Sequence, residues 1–291
     1  MLITQSSGKF LKRKRTINIG DGLLDLSVPC IMGVINLASD SFFGGSILKN
    51  ESEILSKVER MLMEGASIID IGAVSTKPGS GAVSSDEELG RLMPVVLSIR
   101  RNFPDIALSV DTYRSWVALR VIEEAGPMIV NDISGGSLDH KMFETIGKLK
   151  VPYILTHIQG TPENMQQNPF YQDVVKEVSA YLSEGVRKLA KYGVTDVMID
   201  PGFGFGKNLE HNYKLLNRLD SLKVFQLPVV VGLSRKSMIY RVLDTDPEYA
   251  LNGTTVVNTM ALLGGADILR VHDVKEAVDA IRIFLQLKET I

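Results

Sequence analysis

The sequence predicts an α/β fold, a single (β/α)8 TIM barrel preceded by a short N-terminal β-hairpin. Three observations predict it. Short apolar runs alternate with amphipathic stretches along the whole chain, giving about eight strand–helix units, the number that closes a barrel. The apolar runs are continuous rather than alternating, as expected of parallel strands buried on both faces. Nearly every run also ends on a polar or charged residue, and barrel chemistry collects at the C-terminal ends of strands. A doubly wound open sheet is the alternative. It requires a Gly-rich dinucleotide turn after the first strand, whereas Gly33 stands inside that strand.

Residues 9–27 read as the hairpin, with Gly20-Asp21-Gly22 as its turn. Residues 28–291 form the barrel, within one domain spanning 1–291. Cys30-Ile31-Met32-Gly33-Val34-Ile35 is the first barrel strand, ending at Asn36. Helix 51–64 follows, with Ile54, Leu55, Val58, Met61 and Leu62 on one face and Gly65 as its stop. The pattern then repeats: strand 67–72, helix 86–100, strand 107–111, helix 115–125, strand 128–132, helix 141–148, strand 153–157 and helix 173–192. Strand 197–200, helix 212–219, strand 228–232, helix 253–263, strand 267–271 and helix 274–287 complete it. No linker or composition shift divides the 291 residues.

A net charge of −2 points to neither nucleic acid nor a membrane surface. Cys30 is the single cysteine, which excludes an internal disulfide framework and fits a reducing, cytoplasmic compartment. No apolar run reaches the roughly 18 residues of a membrane span. Residues 1–15 are basic but lack the apolar core of a secretory signal. The cluster Lys9, Lys12, Arg13, Lys14 and Arg15 reads as a solvated face, and Asn252-Gly253-Thr254 as a chance sequon.

The chain is organised around Asp200-Pro201-Gly202-Phe203-Gly204-Phe205-Gly206-Lys207. Its glycines let backbone pass close to a flat ligand, and Phe203 and Phe205 offer an aromatic wall. It is not a phosphate-binding P-loop: the glycine spacing is one residue short, and Asn208 stands where Ser or Thr would hold magnesium. The strand ends read Asn36, Asp70, Asp111, Asn131, His157, Asp200, Ser234-Arg235-Lys236, Arg270 and His272. Asp111, Asn131 and Asp200 form an acidic and amide half suited to a flat heterocycle with amino and ring N–H groups. Arg235, Lys236, Arg270 and His272 form a basic half suited to an anion. The carbonyl oxygen of Asn36 suits a hard cation such as Mg2+, which often accompanies a phosphorylated substrate. His157 reads as a satisfied core histidine, His272 has a helix cap as its alternative, and His140 and His211 carry no role. Residues 36–45 and 76–81 are glycine-containing loops and candidate lids.

These motifs resemble those of the dihydropteroate synthases, pterin-binding TIM-barrel enzymes, from about Cys30 to the end. The resemblance rests on Met32-Gly33-Val34-Ile35-Asn36 with Asp40-Ser41-Phe42, Asp70-Ile71-Gly72 with Ser75-Thr76-Lys77-Pro78-Gly79, and Val110-Asp111-Thr112. It continues through Asn131-Asp132-Ile133, His157-Ile158-Gln159-Gly160-Thr161-Pro162, the Asp200–Lys207 stretch, Ser234-Arg235-Lys236 and Arg270-Val271-His272-Asp273-Val274. It implies condensation of (7,8-dihydropterin-6-yl)methyl diphosphate with 4-aminobenzoate in folate biosynthesis. By match, Asp111, Asn131, Asp200 and Lys236 hold the pterin, with Asp111 and Lys236 as the catalytic pair. Asn36 helps bind Mg2+. Thr76, Arg270 and His272, with Val271 between them, face the diphosphate. Phe42, Lys77, Pro78, Phe205 and Ser237 border the aminobenzoate, where sulfonamides are expected to compete.

The reaction implied is a loose, SN1-like displacement. A neutral arylamine needs no strong base, diphosphate departure is the hard step, and Asp111 is placed to stabilise the cationic methylene. The resemblance also implies a homodimer. The chain departs from the family at Ala38-Ser39, Val74, Lys77 and Thr156. The alternatives are a methyltetrahydrofolate:corrinoid methyltransferase and a non-catalytic pterin-binding paralogue.

Overall fold

A computed structural model describes residues 14–20, 22–37, 47–74 and 83–290. Two short strands, β1 (Thr16–Asn18) and β2 (Leu23–Asp25), pair antiparallel with Thr16 opposite Asp25. Asp21 of the expected turn, and residues 9–13 of the expected hairpin, lie outside the described residues. Eight parallel strands follow: β3 (Cys30–Asn36), β4 (Ile68–Gly72), β5 (Ala107–Asp111), β6 (Ile129–Asp132), β7 (Tyr153–Thr156), β8 (Val197–Asp200), β9 (Val230–Val231) and β10 (Ile268–Val271). They pair in chain order from β3 to β8, and β10 lies between β3 and β9. A bridge from Ile199 to Val229 joins β8 to the segment entering β9 and closes the ring. This is a (β/α)8 barrel.

The outer layer comprises α1 (Ile47–Glu64), α2 (Ser85–Asn102), α3 (Ser115–Ala125), α4 (Met142–Leu149), α5 (Val174–Lys191), α6 (Leu209–Asn217), α7 (Ser237–Tyr240), α8 (Leu251–Gly264) and α9 (Val274–Lys288). α6 begins before the expected 212 because Asn208 caps it. The Asn208 side chain accepts from the His211 backbone N–H at 2.8 Å, and the His211 ring accepts from the Asn208 N–H in return. Past Asn217 the chain tightens into a 3-10 turn over Leu219–Phe225. α7, a single turn after β9, carries no periodic pattern that sequence could register.

Two cores divide the strand residues by parity, since successive side chains point to opposite faces. Ile35, Ile69, Val110, Tyr153, Ile199 and Val271 point outward and pack under the helices. Met32, Ile68, Ala107, Ile129, Ile154, Met198, Val230 and Ile268 point inward and meet Ile17, Leu24 and Leu26 of the hairpin. Each Ile, Leu, Met or Val side chain among them contributes about 1.5–3 kcal/mol by leaving water. The hairpin therefore seals the N-terminal end of the barrel. It is pinned there by Asp196, which accepts from Lys14 Nζ at 2.8 Å and from the Asn18 N–H at 3.1 Å.

Candidate active site

Two residues above that apolar plug, the same inward columns turn polar. Asp70 follows Ile68, Ser109 follows Ala107, Asn131 follows Ile129, Asp200 follows Met198 and Arg270 follows Ile268, each at the next inward position. Asp111 stands one inward step higher on β5. Asp70 is fully buried and accepts from Ser109 Oγ at 2.6 Å, Asn131 Nδ2 at 3.2 Å and Arg270 Nε at 2.7 Å. Arg270 then reaches Asp111 Oδ2 with Nη2, also at 2.6 Å.

The acidic and basic halves expected from sequence are thus not separate. Arg270, assigned to the basic half, lies between two carboxylates. The reason is electrostatic: neighbouring carboxylates this far from water each carry a large desolvation cost unless a cation lies between them. Burial pushes the Asp111 carboxyl up to about 7; Arg270 opposes that, while Asp70 adds to it by like-charge repulsion. Burial also works against the Arg270 charge, but Asp70 and Asp111 outweigh it and raise its pKa.

The loop after β8 explains its own composition. Gly202, Gly204 and Gly206 all have left-handed backbones, with φ of +68°, +82° and +64°. A Cβ on Gly202 would lie 1.9 Å from the His157 carbonyl oxygen, and one on Gly206 would lie 2.4 Å from that of Gln159. At Gly204 a Cβ would meet the Lys236 side chain at 3.3 Å. The glycines let this loop press against the loop after β7 while leaving a channel for Lys236. Phe203 is fully buried in the outer core, so the expected two-residue aromatic wall reduces to Phe205. Phe205 is half-buried, and Lys236 Nζ lies 4.7 Å from its ring centroid, a cation–π contact. Lys236 Nζ also donates to the Phe203 carbonyl. Burial lowers the Lys236 pKa to about 8 against the pull of Asp200. Asp200 accepts from the Gly202 N–H at 2.7 Å, and its own pKa is raised by burial.

In Ser234-Arg235-Lys236 the chain sends consecutive charges opposite ways. Arg235 has a left-handed φ of +55° and forms a two-pronged ion pair with Asp273, at 2.9 Å on each prong. It also donates to the carbonyls of Pro247 and Glu248. Its charge is spent on joining the β9 and β10 loops rather than on an anion seat. His272 Nδ1 lies 3.0 Å from Ser234 Oγ. Partial desolvation, then Arg270, lower its pKa, although the side chain reaches solvent at the rim. Val271 is fully buried in the outer core, its side chain turned away from the mouth. Ser237 opens α7 beside Lys236 and is half-buried. Asn36 ends β3 opposite Gly72, exposed at the rim. Phe42, Thr76, Lys77 and Pro78 lie outside the described residues.

Sequence reasoning gave no role to Ser109 or Lys207, and placed Asp70 on the rim without a function. The signal available is that positions 70, 109 and 131 each stand two residues after an inward apolar residue of their own strand. His157 is buried in the loop after β7 with Nδ1 2.8 Å from Lys207 Nζ, a core histidine with a partner.

Residues 32–272 match the family described as pterin binding enzyme. The dihydropteroate synthase of Escherichia coli K12 is 42% identical over 262 residues, 89% of this chain and 92% of the relative. A crystal structure of Yersinia pestis dihydropteroate synthase with a sulfonamide drug superposes with a TM-score of 0.88 at 39% identity, covering 94% of this chain and 99% of the other. The Xanthomonas albilineans dihydropteroate synthase with 4-aminobenzoic acid gives 0.85 at 33% identity, covering 94% and 98%. With a polar mouth of this make-up above a sealed barrel, and likeness running nearly end to end, the chain belongs to the pterin-binding enzyme family, among its dihydropteroate synthases.

Proposed function

We propose that the chain joins (7,8-dihydropterin-6-yl)methyl diphosphate to 4-aminobenzoate, yielding 7,8-dihydropteroate and pyrophosphate for folate biosynthesis. The observation that carries this reading is the inward polar layer of Asp70, Asn131, Asp200 and Arg270, with Asp111 above it and Lys236 reaching in from the segment after β9, at the open end of a barrel whose other end is sealed. A flat ring with N–H groups suits Asp200 and Asn131. A guanidinium and an ammonium beside it suit the diphosphate.

The arylamine nitrogen forms a bond to the methylene carbon as the bond from that carbon to the diphosphate oxygen breaks, and the nitrogen then loses a proton. The displacement is loose: Asp111, when ionised, stabilises the cationic methylene, and Arg270 follows the charge growing on the leaving oxygens. Lys236, stacked on Phe205, orients the ring. His272 donates a hydrogen bond to the diphosphate. Phe42, Thr76, Lys77, Pro78 and Ser237 complete the aminobenzoate and diphosphate contacts, and sulfonamides compete with aminobenzoate there.

The donor set fits Mg2+ arriving with the diphosphate. Among the described residues no group of three or more His, Cys, Asp or Glu converges to cage a metal, and Asn36 offers one hard oxygen at the rim. Bound there, the ion would neutralise charge on the diphosphate.

A homodimer is part of the proposal. Val256, Met260 and Leu263 form an exposed apolar stripe along α8, near exposed Val242, Leu243 and Tyr249, an unusual face for a monomer. A cytoplasmic location is also proposed; no helix of the described residues is long and apolar enough to cross a membrane.

The test is pyrophosphate release from both substrates with Mg2+. Release that depends on 4-aminobenzoate supports the reading; turnover only with a cobalamin acceptor, or none, overturns it.

A further inference from the structure

We propose that Asp70 is a positioning residue that couples ring recognition by Asn131 to diphosphate capture by Arg270. The inference rests on the reading above. Asp70 is fully buried, and its two oxygens receive Ser109 Oγ, Asn131 Nδ2 and Arg270 Nε, with Arg270 Nη2 also at 2.6 Å. Both oxygens are engaged, so this carboxylate is not itself a ligand group.

What it does to its neighbours is directional. An ionised carboxylate only accepts, so the Asn131 amide must turn its NH2 toward Asp70. That leaves Asn131 Oδ1 as the atom available to a ligand, and Asn131 then selects a ring edge that donates N–H. Arg270 is fixed from below in the same way. Asp70 takes Nε, and Nη2 lies 2.6 Å from both Asp70 Oδ2 and Asp111 Oδ2, bridging the two carboxylates.

Stability alone does not account for this pair. A buried ion pair is often matched or exceeded in stability by packed apolar residues of similar volume. Its worth lies in fixing two binding groups from one point. Neutralising Asp70 removes both constraints: the Asn131 amide becomes free to turn over, and Arg270 is left to Asp111.

The experiment uses the full-length protein with Asp70→Asn and, separately, Ser109→Ala. Calorimetry measures affinity for 6-hydroxymethyl-7,8-dihydropterin and for inorganic pyrophosphate with Mg2+. Steady-state kinetics measure the KM for 4-aminobenzoate at saturating pterin diphosphate. We expect Asp70→Asn to weaken both calorimetric ligands about tenfold or more, with the aminobenzoate KM changed by no more than about twofold. Ser109→Ala, which keeps the charge and loosens its hold, weakens both about threefold. Undiminished affinity for either ligand in Asp70→Asn, or an equal loss for all three, overturns the inference. Should Asp70→Asn not fold, unchanged affinities in Ser109→Ala overturn it instead. If the unaltered protein releases no pyrophosphate, the proposed reaction fails, while the two affinities still decide the role of Asp70.

Discussion

Lys207 Nζ lies 2.8 Å from His157 Nδ1, and both residues are buried. The same nitrogen donates to the carbonyls of Gly202 at 2.8 Å and Phe205 at 3.0 Å. Three acceptors match the three donors of an ammonium. Burial lowers the Lys207 pKa, and burial with the nearby Lys207 charge holds His157 down to about 2, so His157 is neutral at any working pH. Lys207 clasps the glycine loop from behind while Lys236 threads through its front.

Lys207→Met is expected to leave two carbonyls and an imidazole nitrogen without their donor. The loss of stability is about 3 kcal/mol, read from denaturant unfolding, with a matching fall in pterin affinity because Asp200 and Phe205 flank the same loop.

Asp111→Asn is expected to separate stability from activity. A carboxyl whose pKa is higher folded than unfolded weakens the fold as pH rises. Here that penalty begins near the ordinary value of 3.8 and is complete above about 7. The variant therefore gains stability relative to the unaltered protein at pH 8 and loses that gain toward pH 4. Turnover falls by about a hundredfold or more, since the cationic methylene loses its carboxylate. Thermal melts at the two pH values, beside pyrophosphate release, check both halves.

The pH profile of kcat/KM for the pterin diphosphate is expected to be narrow. Asp111 must be ionised, so activity falls as pH drops through about 7. Lys236 must be protonated, so activity also falls as pH rises through about 8. In Asp111→Asn the acid limb disappears and the alkaline limb stays.

Gly202→Ala and Gly204→Ala are expected to differ in kind. Both force alanine into left-handed backbone at about 1–2 kcal/mol. At Gly202 the methyl also overlaps the His157 carbonyl, 1.9 Å away, so the loop must come off the segment after β7 and soluble, active protein is lost. At Gly204 the neighbour is the flexible Lys236 side chain at 3.3 Å, which yields. That variant folds, and its KM for the pterin diphosphate rises several-fold.

Much of this was legible in the chain itself. The barrel follows from continuous apolar runs that each end on a polar residue, and Asp111, Asn131, Asp200, Lys236 and Arg270 do meet at one mouth. Parity along a strand also separates inward Arg270 from outward Val271. What could not be read is how charges choose partners. Arg235 and Lys236 are adjacent cations in sequence, yet a left-handed φ at Arg235 sends one to Asp273 and the other toward Phe205. His272 resembles a cation until its contact with Ser234 and the neighbouring Arg270 charge are known. Phe203 and Phe205 look equivalent until one enters the core. The start of α6 depends on a reciprocal cap between Asn208 and His211, which the apolar periodicity of the helix does not record.

The three glycines after β8 also bear on how the family can diversify. Wherever backbone already fills the space a methyl would take, selection has no incremental substitution to work with. Adaptive change in ligand preference is thereby steered off positions 202 and 206 and toward side chains that face the mouth from neighbouring segments, where the cost of novelty is measured in affinity rather than in loss of the protein.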